Sequence, residues 1–246
     1  MRLRFIIAYD GAPFSGWQSQ AGGNTIQDLL EAAASRIAKQ KITIHGSGRT
    51  DAGVHAAGQC AHADVPALRM RPADWTRALN ATLPPEIRIL GTRQAPASFH
   101  ARFTATGKIY RYVLWSAPIL PPCEYRRAWH VPHTTDLETL RTAAAHFEGP
   151  HDFAAFTANR GKPVTDTVRT ISVVRVSRKG PRITLTFDGG GFLYKMVRML
   201  TAAAVRTAQG KESPDWIPSL LAAGKSARSP HVAPADGLTL VRVRYV

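Results

Sequence analysis

The run Gly46-Ser47-Gly48-Arg49-Thr50-Asp51-Ala52-Gly53-Val54-His55-Ala56 sets one carboxylate two residues after an arginine, among small residues. Asp51 is the only acidic residue between Glu31 and Asp64. Gly46, Gly48 and Gly53 permit tight turns and close approach of the backbone to a ligand. A carboxylate beside a guanidinium stays ionised near neutral pH, because opposite charge favours the charged form. An ionised Asp can serve as nucleophile or general base. Arg49 and Asp51 would share a face of an extended strand, but need not do so in a turn. The same residues also fit an Asx-type turn, with Asp51 bonding its own backbone between two strands. Local chemistry leaves both readings open.

The rest of the composition narrows the partner. The 246 residues suffice for one large domain or two modest ones with real cores. A hydrophobic content of 44% fits a globular chain. Lys and Arg number 32 against 17 Asp and Glu, a formal charge of +15. Such an excess is costly in self-repulsion unless a polyanion offsets it, and nucleic acid is the leading candidate. No apolar run approaches the ~18 residues needed to span a bilayer. The apolar N-terminal stretch ends at Tyr9-Asp10-Gly11, too soon for a secretory signal, so a cytoplasmic location is expected. Cys60 and Cys123 stand far apart with no metal-ligand spacing, and read as unrelated reduced thiols. His45, His55 and His62 match no helical ligand pair, so no metal site is expected.

Elements that must position Asp51 follow from periodicity. Leu3, Phe5 and Ile7 alternate as a strand. Asn24-Thr25-Ile26-Gln27-Asp28 carries N-cap signals for a helix to about Lys39. Lys41 to His45 reads as a second strand leading into the glycine-rich run, and Val54 to His62 as a third beyond it. Pro72 opens a short helix toward Asn80, followed by a strand at Ile87 to Leu90. The second half repeats the plan. Lys108 to Leu114 is a strand with Tyr110 and Tyr112 on one face. Thr135 and Glu138 form a capping box before a helix bearing Leu137, Leu140, Ala144 and Phe147. Strands follow at Ile171 to Val176 and Ile183 to Phe187, broken by Asp188-Gly189-Gly190-Gly191. Phe192, Met196, Met199, Leu200 and Ala203 trace a helix stripe, with Arg198 off it. A shorter helix follows Pro214, and Leu240 to Val246 closes the chain as a strand. Loops are expected at Pro118 to Pro122 and at Thr157 to Thr167, the second exposing Arg160 and Lys162. The fold class is α+β, in two similar halves, 1–103 carrying Asp51 and 104–246 completing the site.

Gly48-Arg49-Thr50-Asp51-Ala52-Gly53-Val54-His55-Ala56 closely resembles the catalytic motif of the tRNA pseudouridine synthases of the TruA family. Further segments match in order: Ala8-Tyr9-Asp10-Gly11, Ser15-Gly16-Trp17-Gln18, Phe99-His100-Ala101-Arg102-Phe103, Tyr110-Arg111-Tyr112, Asp152-Phe153-x-x-Phe156, Gly191 through Arg198, and Asp236-Gly237-Leu238. The resemblance covers essentially the whole chain. It implies two α+β halves around a continuous, mainly antiparallel sheet flanked by helices, with a central basic cleft. It implies a homodimer that binds tRNA and isomerises uridines 38 to 40 of the anticodon stem-loop, with no cofactor and no required metal. By motif position Asp51 is the catalytic carboxylate. Arg49 would hold the substrate backbone or fill the space left by a flipped base. Tyr110 resembles the active-site tyrosine that stacks on the target base, Arg198 the arginine that pairs with the catalytic Asp, and Leu238 an apolar pocket wall. One departure is Ser47, where the family often has Ala.

Two other readings of the same residues are a non-catalytic RNA-binding module and a base-removing N-glycosylase. A pure binder gains nothing from a carboxylate facing phosphates, so the Gly-flanked Asp51 favours an enzyme.

Overall fold

In a computed structural model the described residues are 1–66, 70–132, 136–158 and 165–246. They carry ten strands and five α-helices, with most strand pairs antiparallel, so the class is α+β as the periodicity implied. The chain divides into two compact units, Met1–Thr106 with Thr239–Val246, and Gly107–Leu238. The final strand thus belongs with the first unit, although 104–246 is continuous in sequence.

In the first unit, β1 (Arg2–Tyr9) has its side chains alternately buried and half-exposed, with Leu3, Phe5, Ile7 and Tyr9 inward. It lies between β3 (His55–Asp64) and β4 (Ile87–Gln94), antiparallel to both. On the other side of β3, β10 (Leu238–Tyr245) pairs in parallel, Thr239 opposite His55. The approach there is close: a Cβ at Gly58 of β3 would lie 2.5 Å from the Val241 carbonyl oxygen. Helix α1 (Ile26–Ala38) begins where Thr25 accepts the Asp28 N–H. That cap contributes about 1 kcal/mol. Ile26, Leu30, Ala33 and Ala34 then bury one face of the helix. Helix α2 (Pro72–Thr82) buries Trp75 and Leu79, and Asn80 ties it to β4 by exchanging hydrogen bonds with the Ile89 backbone.

The expected strand at Lys41 to His45 is only partly formed. Pairing is confined to β2 (His45–Gly46), which meets His62 and Ala61 of β3. Ile42 and Ile44 are buried in strand-like alternation, but their N–H groups donate to Ser35 Oγ and Glu31 Oε1 of α1, each at 2.9 Å. Side chains of the preceding helix therefore satisfy the backbone that a neighbouring strand would otherwise take up.

In the second unit, β5 (Ala105–Trp115), β9 (Arg182–Gly189), β8 (Val168–Lys179) and β7 (Gly149–Asp152) pair in that order, all antiparallel. The short β6 (Trp129–His130) pairs in parallel with Leu114 and Trp115. Periodicity did not reveal β7, whose four residues include Pro150, tolerated because β7 is an edge strand. Helices α3 (Leu137–Ala145) and α4 (Met196–Ala208) pack on each other, and α3 also meets β8. Thr135 lies outside the described residues, as do Arg160 and Lys162. The cap of α3 is Asp136, which accepts the Thr139 N–H at 2.7 Å. Phe147 and Phe192 lie just beyond the ends of the helices on whose stripes they were expected. Helix α5 (Trp216–Ala223) follows Pro214.

At the far end of β3 three imidazoles gather. His62 lies 4.6 Å from His100 and 5.1 Å from His45 between ring centroids. Burial, then electrostatic repulsion by His100, His45 and Arg2, lower the His62 pKa to about 4, against a smaller opposing effect of Asp64. An unfolded His takes up its proton near 6.5, whereas folded His62 does so only near 4. Stability should therefore fall as pH drops through that window. Urea midpoints measured from pH 7 to 4 should decline less steeply in His62→Asn than in the wild type. Equal slopes would remove His62 from the acid sensitivity.

Candidate active site

The Asp51 carboxylate stands at the first position of a tight turn. The Val54 N–H donates to the Asp51 carbonyl oxygen at 3.1 Å, and Gly53 has φ +80°. Ala52 is not among the residues with positive φ, so this is a type II turn, whose third position favours glycine. The closing bond uses the main chain of Asp51. Exposure alternates before the turn: Arg49 exposed, Thr50 buried, Asp51 half-buried. Arg49 and Asp51 thus face outward together, and Thr50 points in, its Oγ1 2.8 Å from Tyr9 OH. Burial raises the Tyr9 hydroxyl pKa far above the ordinary range, so it stays a neutral hydrogen-bonding group there.

A second segment presses on this run. The Trp17 N–H donates to the Thr50 carbonyl at 3.1 Å. Gly16 has φ +91°, and a Cβ there would lie 2.8 Å from that same carbonyl oxygen. A Cβ on Gly46 would meet the Trp17 indole at 2.5 Å. Gln18 Oε1 accepts from Arg49 Nε at 3.0 Å, which orients the guanidinium. Just past the turn, His55 Nδ1 lies 3.1 Å from Asp10 Oδ1 and 3.2 Å from the Gly11 nitrogen.

The departure at Ser47 has a local partner. Ser47 is buried, and its Oγ donates to Gln59 Oε1 at 2.6 Å. Gln59 Nε2 donates in turn to the Gly48 carbonyl at 3.0 Å. Gln59 of β3 therefore braces the run from behind, a role that sequence reasoning missed. Its only signal was a polar residue in an otherwise apolar stretch, Gln59-Cys60-Ala61.

In the second unit the structure brings the Tyr110-Arg111-Tyr112 strand β5, α4 and the segment before β10 together. Tyr110 and Tyr112 do share one face, with Arg111 exposed between them. Tyr112 is fully buried and its OH donates to the Pro234 carbonyl at 2.7 Å. A Cβ on Gly237 would lie 2.6 Å from the Tyr112 ring, and the Val113 N–H donates to the Gly237 carbonyl at 2.9 Å. Tyr112 is thus a structural residue that seats Asp236-Gly237-Leu238. Tyr110 is 9% exposed and meets Phe192 edge-on at 5.1 Å. Arg198 is half-buried among the buried residues of α4, and its Nε donates to the Ala233 carbonyl at 2.7 Å. Its main-chain carbonyl accepts the Ala233 N–H at 3.2 Å, which fixes the root of the guanidinium twice. Leu238 is 6% exposed.

The Asp152-Phe153-x-x-Phe156 segment is structural. Asp152 Oδ1 accepts the Ala154 N–H at 2.9 Å and starts a short 3-10 turn that buries both phenylalanines. Cys60 is buried and Cys123 exposed, both free thiols. Among the described residues no group of three His, Cys, Asp or Glu is placed to hold a metal ion, and no helix is long and apolar enough to cross a membrane.

A family model described as tRNA pseudouridine synthase matches residues 5–104 and 143–246. A protein named tRNA pseudouridine synthase A from Akkermansia muciniphila is 49% identical over 99% of this chain and 95% of its own. The protein of that name from Solidesulfovibrio magneticus is 46% identical over 99% of this chain and 91% of its own. That from Geotalea uraniireducens is 41% identical over 99% of both chains. Among solved structures, a chain in a Cbf5-Nop10-Gar1 complex aligns with 80% of this chain and 44% of its own at 11% identity and a TM-score of 0.37, too distant a likeness to bear on the fold. Such agreement over both units shows that the chain belongs to the tRNA pseudouridine synthase family. It is accordingly an enzyme, an isomerase of that family.

The close approach of Gly16 to the Thr50 carbonyl gives a test of how the Asp51 run is held. Gly16→Ala adds a Cβ at positive φ against main chain and should cost about 1–3 kcal/mol of stability. It should also cut pseudouridine formation more than tRNA binding, as measured by thermal melts, turnover and filter binding on the same preparation.

Proposed function

We propose that this protein converts uridine to pseudouridine at positions 38, 39 and 40 of the tRNA anticodon stem-loop, with Asp51 as the catalytic carboxylate. The observation that carries the reading is the type II turn closed through the Asp51 carbonyl, which fixes the half-buried Asp51 two residues after the exposed Arg49. The reaction breaks the N1–C1′ bond of uridine and makes a C5–C1′ bond. A proton leaves C5 and one arrives at N1, so atoms and electrons balance without an oxidant. Three routes suit an ionised carboxylate: capture of ribose C1′, attack at uracil C6, or removal of a proton from ribose C2′. All of them need uracil to be retained while it turns, which a tight, water-poor site favours. A uridine stacked in a stem must first leave the stack.

Each of the other residues then has a chemical task. Arg49, oriented by Gln18, holds the substrate backbone or fills the space a flipped base vacates. Tyr110 offers its ring to the target base, braced by Phe192. Arg198, anchored on Ala233, matches the arginine that in the family pairs with the catalytic acid, and Leu238 matches an apolar pocket wall. The formal charge of +15 suits a polyanionic substrate. The protein acts as a cytoplasmic homodimer and requires no metal or cofactor. Asp51 and Arg49 belong to the first unit, and Tyr110, Arg198 and Leu238 to the second.

Asp51→Ala should reduce turnover by on the order of 10³-fold or more while leaving tRNA affinity nearly intact. Pseudouridine mapping on a uridine-containing tRNA transcript, without added metal, checks this. Normal turnover by the variant would sink the assignment, and release of free uracil by the wild type would make the protein a glycosylase. Arg198→Ala should lose turnover more than binding; the reverse pattern would make Arg198 a phosphate contact.

A further inference from the structure

Phe99-His100-Ala101-Arg102-Phe103 has no task in the chemistry above. It lies beside the far end of β3, where His100 meets His62. His55, next to the Asp51 turn, is seven residues up the strand, about 23 Å away. Phe103 is 75% exposed, yet its ring is not loosely held. It stacks on the His100 imidazole at 4.3 Å between centroids, with 29° between planes. His100 Nδ1 accepts the N–H groups of Arg102 at 3.1 Å and Phe103 at 3.3 Å, and its carbonyl accepts from the Thr104 N–H and hydroxyl. The imidazole thus caps its own turn and backs the phenyl ring. Burial and then the cations around it lower the His100 pKa, which favours the neutral ring that accepts these bonds. The Arg102 guanidinium sits 5.6 Å from the Phe103 centroid.

We propose that Phe103, backed by His100 and flanked by Arg102, is a stacking platform for an unpaired nucleobase of the tRNA, remote from the reacting uridine. It is a preformed two-ring stack whose outer ring is mostly exposed, with the Arg102 guanidinium over it. Stacking of this kind suits any base, because every base has a π-face, while the guanidinium meets the adjoining phosphate. A protein partner is less well matched. The chain neighbours of the ring, Arg102 and Thr104, are exposed and polar, and an interface core is depleted of charged residues. The proposal rests on tRNA being the substrate, but not on the role of Asp51.

The test measures binding of a uridine-containing tRNA transcript to the full chain. Phe103→Ala should raise Kd about tenfold, as loss of one base–aromatic stack does, without changing the slope of log Kd against log salt. Phe103→Trp should bind as the wild type does. Arg102→Ala should reduce the salt slope by about one. Leu90→Ala, which removes another exposed apolar side chain, should leave Kd unchanged. Photo-crosslinking of wild-type protein to 4-thiouridine-substituted tRNA should give an adduct on Phe103 or His100, which covers the case of a poorly folded variant. Unchanged Kd in Phe103→Ala, or adducts confined to other residues, would overturn the platform while leaving the isomerase reading intact. A change of oligomeric state in Phe103→Ala by light scattering would overturn it in favour of a subunit contact. Failure of the wild type to bind tRNA at all would overturn both readings.

Discussion

Main chain packed against main chain around Asp51 is the constraint on which the first unit turns. Thr50 gives its carbonyl to Trp17, and Gly16 comes so near that carbonyl that no side chain fits. Gly11 and Gly46 show the same crowding, one against Val54 and the other against the Trp17 indole. Once these contacts are made, the peptide groups on both sides of the acid are fixed by bonds that do not involve its side chain. The backbone that carries the carboxylate is then held in place from both sides. Gln59 behind the run and Gln18 in front of it extend the same logic to Ser47 and Arg49. A site whose working groups are positioned by neighbours loses little reorganisation energy when substrate arrives.

The second unit uses a different device for the same end. A buried tyrosine, Tyr112, bonds the Pro234 carbonyl and lies against Gly237, and that seats the segment leading to Leu238. Arg198 is fastened to Ala233 in the same segment. One short stretch, residues 233–238, therefore links the sheet to α4. The two tyrosines two residues apart on β5 divide the work: Tyr112 is buried structure, while Tyr110 keeps some exposure beside Phe192.

Much of this was legible in the residues because periodicity and punctuation are local. The alternation of Leu3, Phe5 and Ile7 and the cap at Thr25 report backbone states that a few neighbours decide. The failures have equally specific causes. Ile42 and Ile44 alternate like a strand, but side chains of α1 took their N–H groups, a choice that depends on what packs nearby. The edge strand β7 is four residues with a proline, too short to leave a periodic trace. Phe147 and Phe192 follow a helical stripe beyond the point where the helix stops, since burial continues after the hydrogen-bond ladder ends.

The sequence by itself determined the α+β class, the charge that suits a polyanion, and the short motifs whose order marks the family. It also supplied Asp51 as the acid of interest, because a lone carboxylate among glycines stands out from any core pattern. Tertiary structure alone decided that the turn closes through the main chain, that Gln59 supports Ser47, that Tyr112 is structural, and that the final strand pairs in parallel with β3. These outcomes depend on which distant segments meet, and the residues that meet carry no mark of it in their own neighbourhood. His100 and Phe103 illustrate the limit: their spacing is visible in the chain, but the stack they form and its exposure exist only in the fold.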